Sequence, residues 1–286
     1  YDVPETVGLM NRWPDCSIFL APTMVKRLIE HGSVSELEPG ALRLITYGGA
    51  PMYVSDLKRA MELLGDRALC QLYGQGESPM TITHLSREVH AERSHPRWEQ
   101  RLASAGIADT CVEVRVVDEA GKRVPTGEVG EIVVKGDTVM SGYWNNPDAT
   151  ARSLRDGWLW TGDVGAFDED GFLTLKDRSK DMIISGGSNI YPREIEDVLN
   201  QHPAVAECSV VGRPHPEWGE EVVAFVVTRG GAQVTPAELD RLCLDNIARF
   251  KRPKDYKFID ALPMTTTGKV QRRVLRLQEQ ERARQR

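Results

Sequence analysis

The chain has 286 residues, 41% of them hydrophobic and 27% charged, with a formal net charge of −6. That length suits two domains, because single cores stop growing near about 250–300 residues, and the composition is that of a globular protein and not a disordered or fibrous one. The acidic balance argues against nucleic acid as a partner, since a duplex binder needs clustered Lys and Arg to displace counterions.

Residues 18–83 alternate short apolar runs with amphipathic stretches. Leu42 to Tyr47 reads as a buried strand ending at Gly48-Gly49, Ser55 to Leu64 as a helix with Leu57, Met61 and Leu64 on one face, and Ala68 to Tyr73 as a second strand. Strand, helix, strand predicts a parallel sheet with crossover helices, whose ligands sit at the carboxyl ends of the strands. Residues 84–177 change texture. Val112 to Val117 and Glu131 to Val134 are short β-branched runs separated by glycine turns, which predicts a small antiparallel β-barrel or sandwich. From residue 182 the pattern is that of a compact α+β module. Pro192 to Leu199, Pro236 to Ala248 and Val270 onward are its helices, and Cys208 to Val211 and Val222 to Val227 its strands. The predicted fold class is therefore α/β, then β, then α+β. The divisions fall at residues 1–83, 84–177 and 182–286, with 178–181 as a hinge. The basic tail from Arg272 to Arg286, interleaved with Glu279 and Glu281, reads as a solvated helix face or frayed end.

No apolar run reaches the about 20 residues of a membrane span, and no secretory leader pattern stands at the amino end. The five cysteines are odd in number and share no CxxC spacing, so they predict reduced thiols in a cytoplasmic protein. The six histidines show no paired ligand spacing, which argues against a structural metal.

Several glycine-loosened stretches are ordinary when taken singly. Gly48-Gly49-Ala50-Pro51 follows a strand, and Tyr73-Gly74-Gln75-Gly76-Glu77 holds one aromatic and one carboxylate. Gly127 to Glu131 reads Gly-Glu-Val-Gly-Glu, and Thr161-Gly162-Asp163 closes a tryptophan-rich run. Asp177-Arg178-Ser179-Lys180-Asp181 precedes an apolar segment, and Pro263 to Lys269 ends a Thr/Gly loop in lysine. In this order along one chain, they resemble the core motifs of the adenylate-forming superfamily. It includes acyl-CoA synthetases, peptide-synthetase adenylation domains and firefly luciferase. The resemblance covers essentially the whole chain and corresponds to the carboxyl-terminal part of such an enzyme.

The resemblance implies a role for each matching residue. Gly48, Gly49 and Ala50 would line the adenine slot, with Tyr73 on the base and Gly74 in the same loop. Glu77 would hold Mg²⁺ against the phosphates, since a hard cation takes carboxylate oxygen and keeps several waters. Asp163 would accept from the ribose hydroxyls, assisted by Arg178. Lys269 would reach the substrate carboxylate and the α-phosphate, where charge builds during attack. Lys180 matches the hinge, about which the small domain swings between two half-reactions. Gly186 and Gly187 would border a tunnel for pantetheine, and Lys251, Arg252 and Lys254 could meet the phosphates of coenzyme A. ATP, Mg²⁺, coenzyme A and a small carboxylic acid are thus the expected ligands, with a homo-oligomer left open.

Met182 to Glu196 is similar to acyl-CoA synthetases, and Met80 and Ile82 suit the wall of an apolar acyl pocket, fatty or aromatic, or else plain core packing. Two departures stand out. Gly76 replaces the hydroxyl residue usual before the metal-binding Glu, and nothing between Tyr1 and Gly48 resembles the Ser/Thr/Gly-rich loop that cradles pyrophosphate. The 286 residues alone are therefore expected to adenylate little or not at all. A carrier-protein-dependent adenylation domain, a luciferase-like oxygenase and a non-catalytic nucleotide-binding module are the rival readings.

Overall fold

A computed structural model describes residues 1–50, 52–265 and 269–284. Pro51 of the first glycine motif and Thr266, Thr267 and Gly268 of the lysine loop lie outside the described residues. The chain divides into two compact units, Tyr1–Leu175 and Lys176–Arg286.

The first unit begins with α1 (Val3–Arg12), β1 (Cys16–Leu20) and α2 (Pro22–Glu30), followed by β2 (Leu42–Gly48), α3 (Val54–Leu64), β3 (Leu69–Gln75) and β4 (Ser78–Leu85). Short helices α4 (Arg87–Ala91) and α5 (Trp98–Leu102) lead to β5 (Ile107–Ala108). The sheet order is β1-β2-β3-β4-β5; the first three strands are parallel and the last two antiparallel. Strand pairing thus carries this sheet on to Ala108, past the change of sequence texture at residue 83. The parallel half forms because β1, β2 and β3 are joined by helical crossovers whose apolar stripes, Val25/Leu28 and Leu57/Met61, bury against it.

Next come β6 (Val112–Val117), β7 (Gly130–Gly136), α6 (Pro147–Ser153), β8 (Leu154–Arg155), β9 (Trp158–Phe167) and β10 (Leu173–Arg178). Their order is β10-β9-β7-β6, with β8 paired to β9. The expected barrel is corrected to an open antiparallel sheet, because β6 and β10 stand at the two ends of the pairing path among the described residues. Short strands with glycine turns are common to both architectures, and only pairing of first and last strand would distinguish a barrel.

In the second unit, β11 (Ile183–Ser185) and β12 (Ser188–Ile190) form a hairpin before α7 (Pro192–Leu199). β13 (Val205–His215), β14 (Gly219–Thr228), α8 (Pro236–Asn246), β15 (Asp255–Phe258) and α9 (Arg272–Arg284) follow. β14 lies between β11 and β13, and β15 adds parallel to it. Its run Val222 to Val226 is buried on both faces. Val222, Ala224 and Val226 pack with α7 and α8, and Val223 and Phe225 with Leu275 of α9. A strand covered on both sides loses the apolar/polar alternation, which is why the sequence shows an unbroken apolar run.

Candidate functional site

The strongest constellation in the first unit joins residues far apart in sequence. Asp163, in β9, is 9% exposed. Its Oδ2 accepts from the Tyr73 hydroxyl at 2.7 Å and from Gln75 Nε2 at 2.7 Å, both on β3. Gln75 Nε2 also donates to the Thr161 carbonyl at 2.9 Å. The Asp163 amide donates to Thr161 Oγ1 at 3.1 Å, that hydroxyl donates to the Ile132 carbonyl at 2.7 Å, and the Gly162 amide donates to Glu131 Oε1 at 3.0 Å. A buried carboxylate fixed by two donors from one strand is a rigid acceptor of further hydrogen bonds.

The loop from β3 to β4 carries Glu77. Its carbonyl accepts from the Met140 amide at 2.7 Å and its Oε1 from the Tyr143 hydroxyl, a bond that pushes the phenol pKa up. Gly74 is dictated by close approach: a Cβ there would lie 2.1 Å from the Met80 amide nitrogen. Met80 itself takes a left-handed conformation, φ 56°, a costly state for a side chain of that size. Nearby, the Thr81 hydroxyl donates to Thr138 Oγ1 at 2.8 Å and lies 3.1 Å from that of buried Ser78, so hydroxyls pin the start of β4. Gly48 is buried at the end of β2, Gly49 follows with φ 82°, and Ala50 is half-buried.

The expected pocket pair separates. Met80 is half-buried, whereas Ile82 is fully buried in the core with Tyr73, Ile132 and Leu173; core packing accounts for it. A β-strand turns alternate residues to one face, so the spacing of Met80 and Ile82 did not reveal how deep each lay. The same alternation is the signal that would have found Gln75, two residues after Tyr73 on one strand. Thr161, two residues before Asp163 on β9, carries the same signal and Glu131 closes a motif named above, whereas Tyr143 carried none.

In the second unit, Arg178 and Lys180 are exposed around the short 3₁₀ turn Ser179–Asp181. Gly186 and Gly187 form the exposed tip between β11 and β12, and the Gly186 amide donates to the Trp218 carbonyl at 2.8 Å. Lys269 is exposed on the loop before α9. Of the cations considered for phosphate, Lys251 bonds both oxygens of Glu194 at 2.7 Å and Arg252 bonds Asp240 at 2.5 Å. Those two are already neutralised, and Lys254 is exposed. Among the described residues no group of three or more His, Cys, Asp or Glu could enclose a metal ion, and no helix is long and apolar enough to cross a membrane. A single carboxylate at Glu77 fits a Mg²⁺ held chiefly by phosphates and water, not by a protein cage.

Residues 2–144 match the family model described as AMP-binding enzyme, and residues 194–269 match the AMP-binding enzyme C-terminal domain. The chain belongs to the AMP-binding enzyme family. It is 38% identical over 283 residues to a medium/long-chain-fatty-acid–CoA ligase, FadD8, of Mycobacterium tuberculosis, covering 96% of this chain and 48% of the relative. It is also 38% identical over 272 residues to the fatty acid–[acyl-carrier-protein] ligase ScoC of Streptomyces coeruleorubidus, covering 95% and 51%. Among solved structures, ATP-bound MatB of Rhodopseudomonas palustris aligns with a TM-score of 0.86 and 35% identity, over 97% of this chain and 53% of that one. The chain spans about half the length of the curated relatives it matches.

Proposed function

We infer that the protein activates a carboxylic acid, fatty or aromatic, with ATP and transfers the acyl group to the thiol of coenzyme A. The observation that carries this is the Asp163 carboxylate held by Tyr73 and Gln75, an acceptor suited to the vicinal hydroxyls of a ribose. Gly48, Gly49 and Ala50 bind the adenine beside Tyr73 and Gly74, and Arg178 assists at the ribose. The substrate carboxylate oxygen attacks the α-phosphorus, the bond to pyrophosphate breaks, and the acyl-adenylate forms. Lys269 offsets charge growing on the phosphoryl oxygens. Glu77 would contribute a carboxylate oxygen to Mg²⁺, which would neutralise phosphate charge there. In the second half-reaction the thiol sulfur attacks the acyl carbon and its proton passes to water, and AMP departs with the electron pair of the broken C–O bond. Lys180 serves as the pivot between the half-reactions, and Gly186 and Gly187 leave room for pantetheine. The acid's wall includes Met80. Likeness to ScoC supports a second acceptor, the thiol of an acyl carrier protein.

The test is ATP–pyrophosphate exchange and thioester formation by the complete protein with fatty and aromatic acids, offering coenzyme A or an acyl carrier protein. Exchange falls about 100-fold or more in Lys269→Ala, the range for losing one group that stabilises a charged transition state, and Asp163→Ala weakens nucleotide binding by removing the ribose acceptor. The 286 residues alone give little or no exchange. Nucleotide binding by the complete protein without exchange for any acid tried would favour a non-catalytic module instead.

A further inference from the structure

One cluster of buried charge lies outside these roles. Arg272 opens α9 directly after the loop that ends in Lys269-Val270-Gln271. Its guanidinium spans two carboxylates: Nη1 donates to Asp177 Oδ1 at 2.7 Å and Nη2 to Glu196 Oε2 at 2.6 Å. Those carboxylates are only 4% and 7% exposed. Their other oxygens take main-chain donors, Glu196 Oε1 from the Val210 amide at 2.8 Å and Asp177 Oδ2 from the Arg193 amide at 3.1 Å. One turn further on, Arg276 Nη2 donates to Asp181 at 3.0 Å. Arginines at i and i+4 on α9 therefore grip both aspartates that bracket residues 178–180.

The lysine loop is closed at its base. The Gln271 amide donates to the Pro263 carbonyl at 2.7 Å and its side chain to the Met264 carbonyl at 2.7 Å. The Thr265 amide donates to the Lys269 carbonyl at 2.8 Å, and the Lys269 amide to Thr265 Oγ1 at 3.0 Å. Met264 and Val270 pack beside Leu262 and Leu275 on the sheet. The backbone that presents Lys269 thus runs from a fixed base straight into Arg272.

We propose that Arg272 is the positioning residue for Lys269: it ties the lysine loop to Asp177 of β10 and Glu196 of α7, and so fixes where the loop presents its lysine. The proposal rests on the reading of Lys269 as the cation at phosphorus. A planar fork presents separate N–H donors to the two carboxylates in a fixed geometry, whereas a lysine ammonium at this place is a single point charge on a flexible stem and would not keep both bonds at these lengths.

Arg272→Lys and Asp177→Asn in the complete protein test it, with Lys269→Ala as control. Both variants should slow adenylation about tenfold or more while KM for acid and ATP stays within about twofold, as expected when a catalytic group is misplaced by a fraction of an ångström to an ångström. Thioester formation from supplied acyl-adenylate, which does not use Lys269, should stay within about twofold. Amide hydrogen exchange at Thr265, Lys269 and Gln271, whose amides close the base of the loop, should accelerate about tenfold. A purely structural ion cluster would instead lower the melting temperature and slow both half-reactions alike, or leave exchange in the loop unchanged; either result overturns the proposal. Should Arg272→Lys fail to fold, Asp177→Asn, which keeps the Glu196 bond, decides alone. If Lys269→Ala adenylates normally, the reading of Lys269 fails, and exchange in the loop still reports on its attachment to Arg272.

Discussion

His90 is fully buried in α4, with Nδ1 2.7 Å from the Ser86 carbonyl and Nε2 3.0 Å from the hydroxyl of equally buried Tyr47. A carbonyl can only accept, so we assign the proton to Nδ1, and Nε2 then accepts from Tyr47. Burial pushes the imidazole pKa down to about 4. The unfolded chain binds that proton near pH 6.5. Between these values the unfolded state holds more protons than the folded one, so stability falls as pH drops through the window and then levels off. The effect reaches about 3 kcal/mol if the full shift is expressed, from about 1.4 kcal/mol per unit. Urea midpoints of the chain at pH 7 and pH 4.5, compared with His90→Gln, measure it; an equal loss in both proteins removes His90 as the cause. Tyr47 directly precedes Gly48, so the pair also anchors the end of β2 beneath the glycine turn. No local pattern announces this, because the two partners meet through tertiary packing across 43 positions.

At the scale of elements, α9 departs furthest from its sequence. Its start near Val270 was legible, but its charges suggested a solvated face. The structure buries Leu275 at 1% exposure and Glu279 at 0%, the latter bonded to Lys257 and, at 3.2 Å, to Arg213. Arg213 also holds Asp255 and Glu221, each at 2.8 Å. Residues 272, 275, 276 and 279 recur at helical spacing, yet three of the four are charged, and a hydrophobic period cannot register a buried stripe made of ion pairs. Removing one member of such a network strands its partners. Glu279→Ala should cost the second unit about 3 kcal/mol, whereas Glu281→Ala, exposed on the same helix, should stay within about 0.5 kcal/mol. Chemical denaturation of both variants checks this, and equal losses would mean the network contributes nothing beyond surface charge. By contrast α3, α7 and β6 were legible nearly to the residue, because their apolar periods match their burial.

For the whole molecule, the sequence showed three regimes of texture, and the contact boundary at Leu175/Lys176 falls close to the second change between them. The motif order also pointed to the candidate site, since several motifs sit at a strand end or turn where backbone geometry restricts residue choice, with Thr161 to Asp163 inside β9 as the exception. What the order could not supply was the pairing of Tyr73 and Gln75 with Asp163, which depends on tertiary approach of β3 and β9. The second unit has its own cores on both faces of its sheet. Among the described residues, the ion-pair partners of α9 named above, Asp177, Asp181, Glu196, Arg213 and Lys257, all lie within Lys176–Arg286. Among the described residues, none of the strands of its sheet comes from before Ile183. A chain starting at Lys176 should therefore fold alone, with a single cooperative urea transition. Leu275→Ala should lower its stability by about 2–4 kcal/mol, the same amount as in the 286-residue chain, because the lost packing partners Val211, Val223 and Phe225 are all present in both. A non-cooperative transition, or a penalty found only in the longer chain, would show that this core is completed by residues of the first unit.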